Sequence, residues 1–152
     1  MSRQKAKGTA AETAFVKYAR LRTGDETIDR IAPHGNDDKG DVGALLAHGL
    51  RGFAELKNYE GNPTRGQLER WQSETMRERA NGSWDFGLLV VHEKGCNMVD
   101  PMSPTYGFNR CYMTLGDLAR VSGLGPAASS RLDDNGKWCC MTVSDVFDLL
   151  ED

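Results

Sequence analysis

Three residue types at telling spacing stand near the middle of the chain: Asp41, Glu55 and Lys57. The run Asp41-Val-Gly-Ala-Leu-Leu46 opens on a carboxylate, and Ala47-His-Gly-Leu50 supplies a turn. Gly52-Phe-Ala-Glu-Leu-Lys57 then returns with apolar and polar residues alternating, the pattern of a β-hairpin. Glu55 and Lys57 are two apart on one strand, so they share a face. Pairing about the 47–50 turn brings Asp41 level with residues 55–57, and all three converge if the register turns Asp41 to that face. Carboxylates held close repel unless a cation lies between them, and a divalent metal with oxygen ligands is the economical reason for the pair. A lysine beside it can hold or polarise a reacting group. The competing reading is a solvated strand edge carrying a cross-strand ion pair. The apolar flanks Leu45, Leu46, Phe53 and Leu56 argue for burial instead, where unpaired charge is costly.

The elements around the hairpin must hold these side chains. A helix is expected over 8–22, capped by Thr9, with Glu12, Phe15, Val16 and Ala19 on one stripe. Glu12 then faces inward, unless it serves only the helix dipole near the start. Residues 27–32 suit a strand, and the turn-rich loop 33–40 (Pro-His-Gly-Asn-Asp-Asp-Lys-Gly) delivers the chain to Asp41. A second helix is expected over 63–80, started either by Asn62 with Pro63 or by a Thr64-x-x-Gln67 capping box, and ended by Gly82. Its Arg65, Arg70, Arg77 and Arg79 interleave with Glu69, Glu74 and Glu78, the usual look of a solvated face, with Arg65 nearest the hairpin. The apolar run 84–91 fits a central strand. Beyond it, 95–110 reads as irregular, 114–122 as a short helix with Leu115, Leu118 and Ala119 inward, and 123–137 as a polar loop. Residues 138–141 read as a strand, and Val143, Val146, Phe147 and Leu150 mark a final amphipathic helix that covers the core or meets a partner.

At 152 residues, 39% hydrophobic and 27% charged, the chain has the size and composition of one globular domain. No apolar run approaches the ~20 residues that cross a bilayer, and the basic N-terminus lacks the apolar core of a secretion signal, so a cytoplasmic protein without a membrane partner is expected. Cys96, Cys111, Cys139 and Cys140 then read as thiols. Zinc held by these and His92 is the alternative, but their spacing matches no usual ligand set. The net charge of −3 argues against indiscriminate coating of nucleic acid. Residues 1–80 nevertheless hold 14 Lys+Arg against 12 Asp+Glu, whereas 81–152 hold 5 against 10, so any phosphate contacts belong to the first part.

The ordered set resembles the PD-(D/E)XK nuclease superfamily, and within it the archaeal and phage-type Holliday junction resolvases that overlap with RecB-like nucleases. Its members are Lys7-Gly8 with Glu12, the loop 34–40 into Asp41-Val42, and Phe53-Ala-Glu-Leu-Lys57. Gln67-Leu-Glu-Arg-Trp71 is similar to the Gln-x-x-x-Tyr signature of the RecB-like enzymes, with Trp71 in the place of Tyr. The resemblance spans roughly residues 5–92; no proline precedes the Asp, and the segment beyond 95 has no counterpart. It implies an α/β fold, a restriction-endonuclease-like mixed sheet flanked by helices, with a nuclease core over 1–94; residues 95–152, outside the resemblance, are expected to form a helical C-terminal extension packed on that core, a candidate dimer or partner element. It implies Mg²⁺, with Mn²⁺ able to substitute, on Asp41 and Glu55, with the Leu56 carbonyl a further candidate ligand and Glu12 completing the site directly or through water. Lys57 would orient and help deprotonate the attacking water, and Gln67 would position water or phosphate. Lys5, Lys7, Arg20, Arg22, Lys39 and Arg65 are the candidate DNA contacts. The implied substrate is branched DNA, a four-way junction cut in pairs by a homodimer, in a bacterial host cell if phage-encoded. Competing expectations are a RecB-like exonuclease or other branched-DNA nuclease with the same site, and a non-catalytic DNA-binding module on a nuclease fold.

Overall fold

The computed structural model describes residues 2–32 and 37–150. Pro33, His34, Gly35 and Asn36, the first half of the expected loop, lie outside the described residues. The chain opens with α1 (Arg3–Thr23), capped by the Ser2 hydroxyl, which accepts the N–H of Lys5. The helix thus begins nearly two turns before Thr9. Glu12 stands well inside it, too far from the start for a dipole role. The two-residue β1 (Asp29–Arg30), shorter than the 27–32 expected, leads to the hairpin β2 (Val42–Ala47) and β3 (Leu50–Lys57). His48 (φ 50°) and Gly49 (φ 78°) form its two-residue turn.

The hairpin is not a plain ladder. Leu45, Leu46 and Ala47 pair with Gly52, Arg51 and Leu50, but Val42 pairs with Ala54, so β2 carries one extra residue between Val42 and Leu45. Ala44 takes φ 68° within this β-bulge. Continued without the bulge, the ladder would set Asp41 opposite Leu56. With it, Asp41 lies level with Glu55, and because side chains alternate along a strand, this single residue moves Asp41 from one face of the sheet to the other.

After the hairpin comes α2 (Arg65–Asn81), capped by the Thr64 hydroxyl on the Gln67 N–H; Asn62 with Pro63 does not start it. It crosses to β4 (Phe86–Val91), which pairs in parallel with β3, matching Glu55 to Leu89 and Lys57 to Val91. Every residue of β4 is buried, as expected of a central strand. The C-terminal part differs from the helical extension read from the sequence. It supplies β5 (Arg110–Thr114), which was not anticipated, and β6 (Trp138–Thr142), and these continue the sheet antiparallel beyond β4. Between them α3 (Leu115–Val121) is followed by α4 (Pro126–Asp133), where the polar composition suggested a loop; Pro126 occupies its first turn, where a missing N–H costs nothing. The last helix, α5 (Val143–Leu150), buries the four residues its periodicity marks.

Among the described residues the result is a six-stranded mixed sheet in sequence order, β1 to β6. On one face α1 and α5 pack together, with Phe15 and Tyr18 against Phe147 at ring separations of 5.8 and 5.4 Å, over a core that includes Leu56, Leu88 and Val90. On the other face Trp71 of α2 packs on Leu89 and Val91. A buried carboxylate ties the helices on the sheet: Asp117 of α3 accepts the Gly87 N–H at 3.0 Å and pairs with Arg120 at 2.8 Å and Arg79 at 3.4 Å.

Candidate active site

The bulge and the crossover determine what meets Asp41. Its backbone is fixed by hydrogen bonds to Ala54 (3.1 Å) and from Ile31 (2.8 Å), and its Oδ2 accepts the Leu56 N–H at 2.8 Å. Gly40, just before it, takes φ 101°, and a β-carbon there would strike the Phe53 ring. Only glycine lets the loop come this close. The loop is further secured where Asn81 donates to the Asp38 carbonyl and Trp84 Nε1 to the Lys39 carbonyl, both at 2.9 Å.

Glu55 sits between Asp41 on one side and Glu78 of α2 on the other, and its carboxyl adjoins both. Glu55 and Glu78 are each only 5% exposed. Oε2 of each is buried and finds no hydrogen-bond partner among the described residues. Carboxylate oxygens of Asp38, Glu55 and Glu78 all fall within 4.8 Å of one another. Lys57 Nζ lies 3.6 Å from Glu55 and 3.1 Å from Glu74, and 5.9 Å from the centre of the Trp71 ring. Glu12 adjoins Asp41, and its Oε2 is held by Arg30 at 2.8–2.9 Å.

With so little water and so much negative charge, the carboxyls hold on to their protons. Burial, then the Glu55 charge, pushes Asp41 up to about 8. Burial, then Glu78, pushes Glu55 up to about 9. Burial is also the main cause of the rise of Glu78 to about 7, with Asp38 and Asp41 adding to it. Glu12 is raised by burial and by Asp41 despite Arg30. For Lys57 burial works against the charge, but Glu55 and Glu74 outweigh it and keep the ammonium protonated. The group is therefore a compact set of oxygen donors whose charge is balanced either by bound protons or by a cation. The hard, anionic, incompletely hydrogen-bonded set suits Mg²⁺ or Mn²⁺.

The structure brings together Asp41, Glu55, Lys57 and Glu12 from the sequence-derived set. Gln67 shares the α2 face that carries Trp71, Glu74 and Glu78, since these follow at intervals of four, three and four, but it stands about 10 Å along the axis from Glu74 at 1.5 Å per residue. Glu78, Asp38, Glu74 and Arg30 were missed. Glu78 had a signal, because Trp71, Thr75 and Glu78 form the buried stripe of α2, and a carboxylate on a tryptophan-anchored stripe is out of place on a solvated face.

The cations fall into separate groups. Lys5 and Lys39 line a groove with Glu12, Arg30 and Asp41. Lys7 lines a second groove with Lys57, Tyr59 and Trp71. Arg65 is 93% exposed and meets Glu69 at 3.1 Å. Arg20 and Arg22 are engaged at the other end of α1: Arg20 donates to the Ile28 carbonyl at 2.9 Å, and Arg22 reaches Asp148 of α5 at 2.6 Å. All four cysteines are free thiols, and neither they nor His92, whose Nε2 lies 2.6 Å from the Cys96 carbonyl, belongs to a ligand cluster among the described residues. No helix among those residues is long and apolar enough to cross a membrane.

No protein-family model, no curated protein and no solved structure matches this chain.

Proposed function

We propose that this chain is a divalent-cation-dependent DNA endonuclease acting on branched DNA, with a four-way junction as the first substrate to test. The observation that carries the reading is the convergence of Asp41, Glu55 and Glu78, with a buried oxygen of Glu55 and of Glu78 lacking a hydrogen-bond partner among the described residues and a protonated Lys57 beside them. Asp41 and Glu55 would hold Mg²⁺ or Mn²⁺, with Glu78 and Asp38 completing the donor set. When bound, the cation lowers the pKa of water and offsets charge on the leaving oxygen. Glu12, engaged by Arg30, orients the Asp41 side of the site rather than competing for the ion.

Lys57 serves as a fixed positive charge on the phosphate, because Glu55 and Glu74 keep its proton in place, which makes it a poor base. In the reaction a water oxygen joins phosphorus and the bond from phosphorus to the 3′ oxygen breaks. A site carboxylate takes the water's proton and solvent supplies one to the leaving oxygen, giving a 5′-phosphate and a 3′-hydroxyl. Paired cuts across a near-symmetric junction require two sites, hence a two-fold homodimer.

The test is cleavage of end-labelled four-way junction, Y-fork, linear duplex and single-stranded DNA in Mg²⁺, Mn²⁺ or EDTA, with Asp41→Asn, Glu78→Gln and Lys57→Ala alongside. Paired junction cuts that need metal and all three side chains are expected. End-dependent degradation with the same sensitivities would keep the chemistry and make the protein an exonuclease. Metal-independent binding without cleavage would leave a DNA-binding module.

A further inference from the structure

Two grooves flank the site, and they share one residue. The first holds Lys5, Lys39 and Asp41, the second Arg3, Lys7, Lys57, Tyr59 and Trp71, and Gly8 of α1 lines both. Gly8 lies well inside a 21-residue helix, where glycine is less stable than alanine. A β-carbon built on it meets nothing among the described residues within 4 Å, so no packing among them calls for its absence. The same stretch places Arg3, Lys5 and Lys7 in the opening turns of α1 with no acid in the first turn, an unfavourable arrangement for the helix dipole. Both oddities make sense if something anionic lies across this end of the helix.

The second groove indicates what that is. Tyr59 meets Trp71 edge-on at 5.5 Å and 69° and remains 38% exposed, while Trp71 is almost covered. An exposed ring braced from behind, beside Lys57 and Lys7, has the make-up of a platform on which one unpaired base stacks while cations hold its phosphate. Paired bases in a duplex have both faces occupied and cannot use it. Lys7 now meets Glu60 at 3.2 Å, an exposed pair that a phosphate can replace.

We infer that a nucleic-acid strand crosses α1 at Gly8 and stacks an unpaired base on Tyr59, so that the substrate carries unpaired nucleotides next to the phosphate at the carboxylate cluster. This rests on the proposed nuclease reading and narrows its substrate to DNA that is splayed or flapped at the branch, in preference to a fully paired junction.

The experiment compares binding in Ca²⁺ and cleavage in Mg²⁺ for two DNAs, a fully paired junction and the same junction with three unpaired nucleotides at the branch point, one of them 2-aminopurine. Wild type, Gly8→Ala, Tyr59→Ala and Tyr59→Phe are used, with melting temperatures recorded. Wild type is expected to bind the unpaired form more tightly and to quench the 2-aminopurine. Tyr59→Ala should lose roughly 5- to 100-fold in affinity for that form alone, together with the quenching, and Tyr59→Phe should restore both. Gly8→Ala should melt about 2–4 °C higher yet bind severalfold more weakly. Equal affinity of wild type for both DNAs, or a Gly8→Ala protein that gains stability without losing affinity, would overturn the inference while leaving the nuclease intact. Failure of wild type to bind or cut either DNA would remove the nuclease reading and this inference with it.

Discussion

Asp41 Oδ2 accepts the backbone N–H of Leu56 at 2.8 Å, although the Leu56 side chain belongs to the opposite face of the sheet. The bond exists because the bulge sets Asp41 level with Glu55, one residue short of where an unbroken ladder would put it. The carboxylate thereby takes over an N–H of β3 just beyond where its pairing with β2 stops, and remains among the acids of the site. Deleting Ala44 should restore the plain ladder and turn Asp41 toward the α1 face. The expected outcome is a folded protein that has lost Mn²⁺ affinity and activity, read by calorimetric titration beside circular dichroism. Ala44→Gly removes the left-handed strain at φ 68° and should stabilise by about 0.5–1 kcal/mol with activity kept.

The raised carboxyls predict how the cation-free protein responds to pH. Below about pH 4 they are protonated whether the chain is folded or not. Above that the unfolded chain releases these protons, while the folded protein keeps them up to about 8 at Asp41 and about 9 at Glu55. The folded state binds more protons throughout this window, so stability falls as pH rises through it. Melting temperature in EDTA should decline from pH 5 to 9, and Asp41→Asn should flatten the slope. Mn²⁺ competes with the protons, so the rise it produces should be larger at pH 8 than at pH 5; an equal rise at both would contradict the cation assignment.

Glu78→Gln separates this site from one built on Asp41 and Glu55 alone. It should weaken Mn²⁺ binding by about 10- to 100-fold, a loss typical of disturbed metal surroundings, without lowering the EDTA-state melting temperature at pH 8. Titration calorimetry and scanning calorimetry on the same samples give both numbers.

Lys57→Ala should bind Mn²⁺ as wild type does and cut DNA about 10²- to 10⁴-fold more slowly, because it removes positive charge from the phosphate and leaves the oxygen donors in place. Single-turnover rates at saturating metal make the comparison. Reduced metal affinity would mean that Lys57 positions the carboxylates instead.

Asp117 tests the opposite kind of buried acid. It is fully partnered by Arg79, Arg120 and the Gly87 N–H, so Asp117→Ala takes the carboxylate from Arg79, leaves Arg120 with Asp133 alone and strands the buried Gly87 N–H, and should cost about 3–5 kcal/mol. Urea denaturation measures it, and metal affinity below the lowered melting point should be unchanged.

The hairpin, the crossover to β4 and the last helix were legible because each follows from periodicity, and Asp41, Glu55 and Lys57 from spacing along two strands. The face on which Asp41 lies was not, because it depends on the unpaired residue of the bulge, and the Val-Gly-Ala-Leu run alternates smoothly enough to hide it. Glu78 was obscured by its neighbours, since Arg77 and Arg79 make that part of α2 look like a solvated ladder. β5 was missed because its Arg110-Cys-Tyr-Met-Thr114 sequence is short and directly abuts a helix. The small, polar residues of α4 carry little apolar periodicity, and it holds its place by lying against α3.

The parallel pairing of β3 with β4 has a kinetic consequence. Asp41 and Glu55 belong to a local hairpin that forms early and cheaply, but Glu78 reaches them only when α2 is laid over the sheet and β4 has docked, a closure of some thirty residues. The cluster is therefore born complete at the last stage of folding of this unit. A chain still emerging from the ribosome would carry Asp41 and Glu55 without Glu78, and so could not complete the proposed cation site.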